Sequence, residues 1–143
     1  MPKSSESVVV RRSAEELFAY VADLRNEPKW HVDVASVPAD TPPLPVVGAS
    51  YSVKFKPFMG KSDGRFTAVE VVPGSKIVYD AELAGMKPRI TYSVESHPDG
   101  ARFTRSVDLV IRGPLKVMSP LMSLMVPRRN KVFVSNVKRN LES

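Results

Sequence analysis

The period of the hydrophobic pattern changes twice along the chain. Ser7 to Arg11 is a short β-branched run that ends at Ser13, and Glu16 three residues later completes a capping-box pattern. Behind it Leu17, Phe18, Val21 and Leu24 recur at helical spacing, which predicts a helix over 14–22 and a second short turn over 24–30. Pro28 breaks or bends that second turn. The stretch VPADTPPLPVV over 37–47 holds four prolines and reads as an irregular excursion.

After Gly48 a period of two takes over. Tyr51, Val53 and Phe55 face one way, and Ser52, Lys54 and Lys56 the other. A strand over 64–72 stops at Pro73-Gly74, a turn signal. Ile77, Tyr79, Ala81 and Leu83 then alternate with polar or smaller neighbours, and so do Ile90, Tyr92 and Val94 after Gly85 and Pro88. A hairpin turn over 97–100 leads into a strand over 103–111. Consecutive strands joined by short turns describe an antiparallel meander with one apolar face, and that face needs a cover.

Gly113-Pro114 ends the last strand and opens a long helical segment. Leu115, Met118, Leu121, Met122, Met125 and Val126 share one face there, followed by Phe133, Val137 and Leu141. Pro127 should kink this helix or split it in two. The expected order is one strand, two short helices, about six strands and a long helix, an α+β chain.

Composition narrows the chemistry. With 143 residues, 43% hydrophobic, the chain is expected to form one domain over 1–143 that needs no disulfide or metal. It has no Cys, which excludes thiol catalysis and cysteine-ligated zinc. The formal charge of +6 invites a nucleic-acid or membrane reading, yet its location argues otherwise. The last 32 residues hold seven basic side chains against Glu142, so they carry the whole excess, and the other 111 are balanced. Nucleic acid is not expected as a partner, because no binding motif or interleaved exposed aromatics accompany those charges.

MPKSSESVVVRRSAEE lacks the apolar core of a secretory signal, so a cytoplasmic location is expected. The most apolar stretch, over 115–126, is far shorter than the roughly 20 residues a bilayer span needs.

Three stretches in this order carry a family resemblance: SAEELFAYVADLRNEPKW after the first strand, TAVEVVPGSKIVYD in the meander, and RFTRSVDLVIRGPLKVMSPLM running into a helix that ends in VKRNLES. Together they resemble the START-like (SRPBCC) superfamily, in its polyketide cyclase/dehydrase and lipid-transport branch, over essentially the whole chain. The resemblance implies a helix-grip fold, in which an antiparallel sheet curls around a C-terminal helix and leaves a hydrophobic cavity. It implies a lipid, polyketide or related ligand; because members differ in what they do, it selects no single function.

The residues themselves also point to a cavity. The inferred inner face offers Tyr51, Phe55, Tyr79, Tyr92 and Phe103, whose rings and hydroxyls suit a mostly apolar ligand with a few polar atoms, or else fill a core. Met118, Met122 and Met125 lie on one side of the long helix, as an adaptable ligand surface or as ordinary core. Arg105 shares the apolar set of its strand with Phe103, Val107 and Leu109. An inward guanidinium must be paired, hydrated or bound to a ligand anion, which makes Arg105 the first candidate for a carboxylate, enolate or phenolate. A bulge would turn it outward, and Glu70 could neutralise it.

Arg129 reads as a rim residue with its stem snorkelling, and Trp30, at the mouth, as either pocket wall or packing of the two short helices on the sheet. His31 with Asp33 is weak support for a metal site or a triad, His97 falls in a turn, and no metal or cofactor is expected.

Binding or transport of a hydrophobic small molecule is the expected function, by a monomer or homodimer. A cyclase/dehydratase in the same cavity is the alternative, with Tyr79 or Tyr92 as hydrogen-bond donor or acid. It would need a positioned base, for which Glu70 and Asp63 are the candidates. A third reading is transient contact of the basic terminal helix with an anionic membrane.

Overall fold

The computed structural model describes residues 3–58, 61–83, 85–109 and 119–142. Strand β1 (Lys3–Val10) leads into α1 (Ala14–Ala22), a 3-10 turn (Leu24–Asn26) and α2 (Glu27–Trp30). Six strands follow: β2 (Val34–Ser36), β3 (Ser50–Phe58), β4 (Lys61–Val72), β5 (Lys76–Leu83), β6 (Arg89–His97) and β7 (Gly100–Asp108). The long helix is α3 (Ser119–Glu142). All seven strands form one antiparallel sheet in the order β1-β7-β6-β5-β4-β3-β2, curved into a half-barrel around α3.

Local chemistry places these elements much as the pattern predicts. The Ser13 hydroxyl accepts the Glu16 amide N–H and caps α1, whose Leu17, Phe18 and Val21 are buried. Gly74 makes the β4–β5 turn at φ +80°. At Gly100, φ is +139° and a Cβ would fall 2.1 Å from the Val10 carbonyl oxygen, so only glycine lets β7 start beside the end of β1. Pro57, which cannot donate to a ladder, lies in β3 where its register with β4 shifts.

Three features differ from the sequence pattern. β2 is a strand of only three residues, too short to show a period. Pro127 does not split α3; Ser123, whose carbonyl loses its intrahelical partner, is on the exposed side. Leu121, expected on the covered face, is 49% exposed, because the helix turns Met122 toward Leu109 instead. The expected turn at Gly113-Pro114, the end of the last strand beyond Leu109, Leu115 and Met118 lie outside the described residues.

Side-chain amides fix α3 to the short helices. Asn136 donates to the Trp30 carbonyl and Asn140 to the Lys29 carbonyl, which supplies the C-terminal end of α2 with partners it cannot find in so short a helix. Lys138 donates to the Val9 carbonyl, and Glu142 accepts the Arg11 amide N–H. Phe133, Val134 and Val137 complete the core from the helix side.

Candidate functional site

Inward positions of the sheet separate into two zones. The first is a closed ring of aromatics in which Trp30, Tyr92, Tyr79, Phe66, Phe55 and His31 contact one another in turn, at 5.2 to 6.1 Å between centroids. Phe103 joins it at 5.7 Å from both Trp30 and Tyr92. The second is a pocket of about 390 Å³ between the sheet and α3, within the size range of small-molecule sites. Phe55 and Phe66, Ala81 and Leu83, Ile90, and Val107 with Leu109 line it from β3, β4, β5, β6 and the β7 end; Met122, Met125, Val126 and Phe133 line it from α3.

Of the residues expected to bind a ligand, Phe55, Arg105, Met122 and Met125 line this pocket, and so do His31, Asp33 and Arg129. Trp30, Tyr79, Tyr92 and Phe103 do not; they are fully buried in the ring and pack against one another. Tyr51 does not reach it either, since its hydroxyl accepts the Val46 amide N–H and ties down the proline-rich excursion. Alternation assigns these rings to the inner face, but it cannot say which stretch of that face α1 and α2 cover.

Arg105 faces inward, because β7 pairs with β1 and β6 without a register break. It is 3% exposed. Its Nη1 donates to Asn130 Oδ1 at 3.0 Å, its Nε has no partner among the described residues, and its Cζ lies 5.1 Å from the Phe133 centroid and 5.9 Å from that of Tyr92. Asn130 in turn donates to the Arg105 carbonyl and to Ser4 Oγ, so β1 and β7 hold the amide that holds the guanidinium. Among the described residues no carboxylate pairs with Arg105. Glu70, expected as a possible neutraliser, binds Lys76 at 2.7 Å on the surface, where β4 shifts register. Asp63 is bound to Lys54 and 85% exposed. Neither faces the pocket.

At the rim, Arg129 grips Asp33 with two nitrogens, Nε to Oδ2 at 3.2 Å among them, and lies over Phe133 at 5.4 Å. His97 accepts the Asp99 amide N–H in the β6–β7 turn, away from the pocket. No cluster able to hold a metal ion occurs among the described residues.

Glu27 and His31 were not read from the sequence as a unit. Glu27 is fully buried; its Oε1 accepts the Tyr92 hydroxyl at 2.5 Å, and its Oε2 lies 3.3 Å from His31 Nδ1. Their i,i+4 spacing in EPKWH was the available signal. Burial pushes the Tyr92 and Tyr79 hydroxyls well above the ordinary tyrosine range, with the Glu27 charge adding to the effect, so both remain protonated.

Burial also pulls His31 below the ordinary histidine value; Arg105 adds to this, while Glu27 and Asp33 oppose it. The folded protein therefore binds its proton less readily than the unfolded chain, so stability contributed by His31 is present above about pH 6.5 and lost as pH falls below it. The wild type should lose stability between pH 7.5 and 5.5 faster than a His31→Gln variant, by at most about 1.4 kcal/mol per pH unit. Urea midpoints of both proteins at each pH check this; parallel pH profiles would remove His31 as the cause.

With the fold and pocket described, their relatives can be compared. A family model described as polyketide cyclase / dehydrase and lipid transport matches residues 1–142. The chain belongs to this family. A search of curated proteins finds no match. Among solved structures, this family member is similar to a protein of Chromobacterium violaceum (17% identity, covering 100% of this chain and 99% of that one, TM-score 0.70). It is also similar to the Aha1 dimer of Colwellia psychrerythraea (16%, 99% and 97%, TM-score 0.65). DynU16, a protein in the dynemicin biosynthetic locus, matches at 16% identity over 99% of this chain and 47% of its own, with a TM-score of 0.64. At these identities the neighbours show the fold alone. No helix among the described residues is long and apolar enough to cross a membrane.

Proposed function

We propose that this cyclase/dehydrase-family chain binds a hydrophobic small molecule in the pocket between sheet and α3, with Arg105 holding an oxyanion or carbonyl oxygen of that molecule. The observation that carries this reading is Arg105, 3% exposed and without a carboxylate partner among the described residues, in a wall made mostly of aliphatic, aromatic and thioether side chains, where Asp33, the carboxylate at the rim, is already held by Arg129. A buried charge is costly unless paired or solvated. A ligand anion completes Arg105, and the methionines adapt to the ligand's body.

Titration with 2-naphthoate, read by fluorescence of the single Trp30, tests this. Saturable binding is expected, and Met125→Phe, which adds bulk to the pocket from its partly exposed side without adding a second tryptophan, should weaken it while leaving the fold intact by circular dichroism. Native mass spectrometry of protein from its own host should find a co-purifying molecule. If neither a bound molecule nor naphthoate binding is seen, the reading fails.

A further inference from the structure

The pocket wall holds a second built polar group. His31 is 5% exposed, and its ring is fixed on three sides: Phe133 lies edge-on at 4.1 Å, Phe55 at 6.1 Å, and Glu27 Oε2 faces Nδ1 at 3.3 Å. Tyr92 donates to Glu27 Oε1, while Glu27 Oε2 and His31 Nδ1 are both buried, make no other hydrogen bond among the described residues and face each other at 3.3 Å outside ideal hydrogen-bond geometry, so a proton on Nδ1 is the arrangement that serves both. A proton on Nδ1 places the lone pair of the neutral imidazole on Nε2. Nε2 has no protein partner among the described residues, yet it is not among the buried polar atoms left without one, so it keeps accessible surface; His31 lines the pocket. Both polar groups flank one ring, Phe133, whose centroid is 5.1 Å from the Arg105 Cζ and 4.1 Å from the His31 centroid. They are therefore at most about 9 Å apart.

We infer that Glu27 holds His31 as a hydrogen-bond acceptor facing the pocket, so that the ligand is a hydroxy acid on an apolar frame, its carboxylate at Arg105 and its hydroxyl donating to His31 Nε2. This rests on the binding reading above and specifies its ligand class. Glu27 is a positioning residue: it touches the imidazole and Tyr92, and it does not line the pocket. Burial keeps the imidazole neutral, which an acceptor requires.

The test combines one measurement on the unliganded protein with a set of ring probes. Long-range ¹H–¹⁵N correlation spectra should show His31 protonated at Nδ1. Trp30 lies 5.9 Å from His31 and reports binding of naphthalene, 2-naphthoate, and the 3-hydroxy and 6-hydroxy isomers of 2-naphthoate, which carry the hydroxyl beside the carboxylate or across the ring system. At least one hydroxynaphthoate should bind about three- to tenfold more tightly than 2-naphthoate, the range of one hydrogen bond. His31→Phe should erase this gain, so that the variant binds the hydroxynaphthoate no more tightly than it binds 2-naphthoate; Glu27→Gln should shrink it.

A proton on Nε2 in the spectra overturns the inference. So does naphthoate binding that depends on Arg105 but gains nothing from either hydroxyl position, an outcome that leaves the binding reading standing. Failure of every probe to bind overturns the inference, and with no co-purifying molecule it overturns the binding reading as well.

Discussion

Arg105→Met is expected to lower affinity for 2-naphthoate by about tenfold to a hundredfold while leaving affinity for naphthalene unchanged, and to leave the protein folded. A charge-assisted hydrogen bond is worth about 1.5–3 kcal/mol, which sets the size of the binding loss. Stability should move little because two effects oppose each other. Removing an unpaired buried guanidinium relieves a desolvation penalty, whereas the Asn130 amide oxygen loses its donor, at about 1–3 kcal/mol. Methionine fills most of the same volume against Phe133 and Tyr92. Calorimetry of both ligands and a thermal melt decide the matter. A variant that unfolds readily, or one in which naphthoate and naphthalene affinities fall together, would make Arg105 a structural residue and not an anion site.

The second large effect is on stability. Trp30→Ala should cost about 3–5 kcal/mol, as truncation of a fully buried tryptophan does elsewhere. The indole has no exposure and meets Tyr92 and Phe103 edge-on at 5.4 and 5.7 Å. Its loss opens a cavity in the aromatic ring behind the pocket, where α2 and α3 meet the sheet. Against a typical total of about 5–15 kcal/mol, such a loss removes a large share of the stability. Trp30→Phe should cost much less, because the Nε1–H has no hydrogen-bond partner to lose. Since Trp30 is the single tryptophan, urea unfolding must be followed by circular dichroism; a cost under about 1 kcal/mol for the alanine variant would show that the core does not rest on this ring.

Segment counting assigns the whole excess charge to the last 32 residues, and the structure shows how several of those charges are used. Arg129 holds Asp33, Lys138 holds the Val9 carbonyl and Glu142, and Arg139 holds Asn136. The Arg129–Asp33 and Lys138–Val9 contacts bind α3 to the start of β2 and to β1, while the Lys138–Glu142 and Arg139–Asn136 contacts lie within α3. Arg128 and Lys131 lie exposed and form no ion pair among the described residues. Arg112 and Lys116 lie outside those residues.

Local rules made much of the architecture legible before any coordinates. The capped helix α1, the meander with its Pro-Gly turn and the long terminal helix follow from capping, a period of two and a period of 3.6, because each depends on neighbours within a few positions in the chain. The inward direction of Arg105 belongs with them: a strand without a bulge fixes it by parity with Phe103 and Val107. The division of the inner face did not. Tyr79 and Phe55 share one face by alternation, yet only Phe55 reaches the pocket, and that depends on where α1, α2 and α3 settle on the sheet. The Glu27–His31–Tyr92 cluster joins residues 65 positions apart, and the Arg105–Asn130 contact joins residues 25 apart. Parity and period are properties of one strand or one helix, whereas a cavity is the space left between several, and only their packing determines which side chains border it and which charges find a partner.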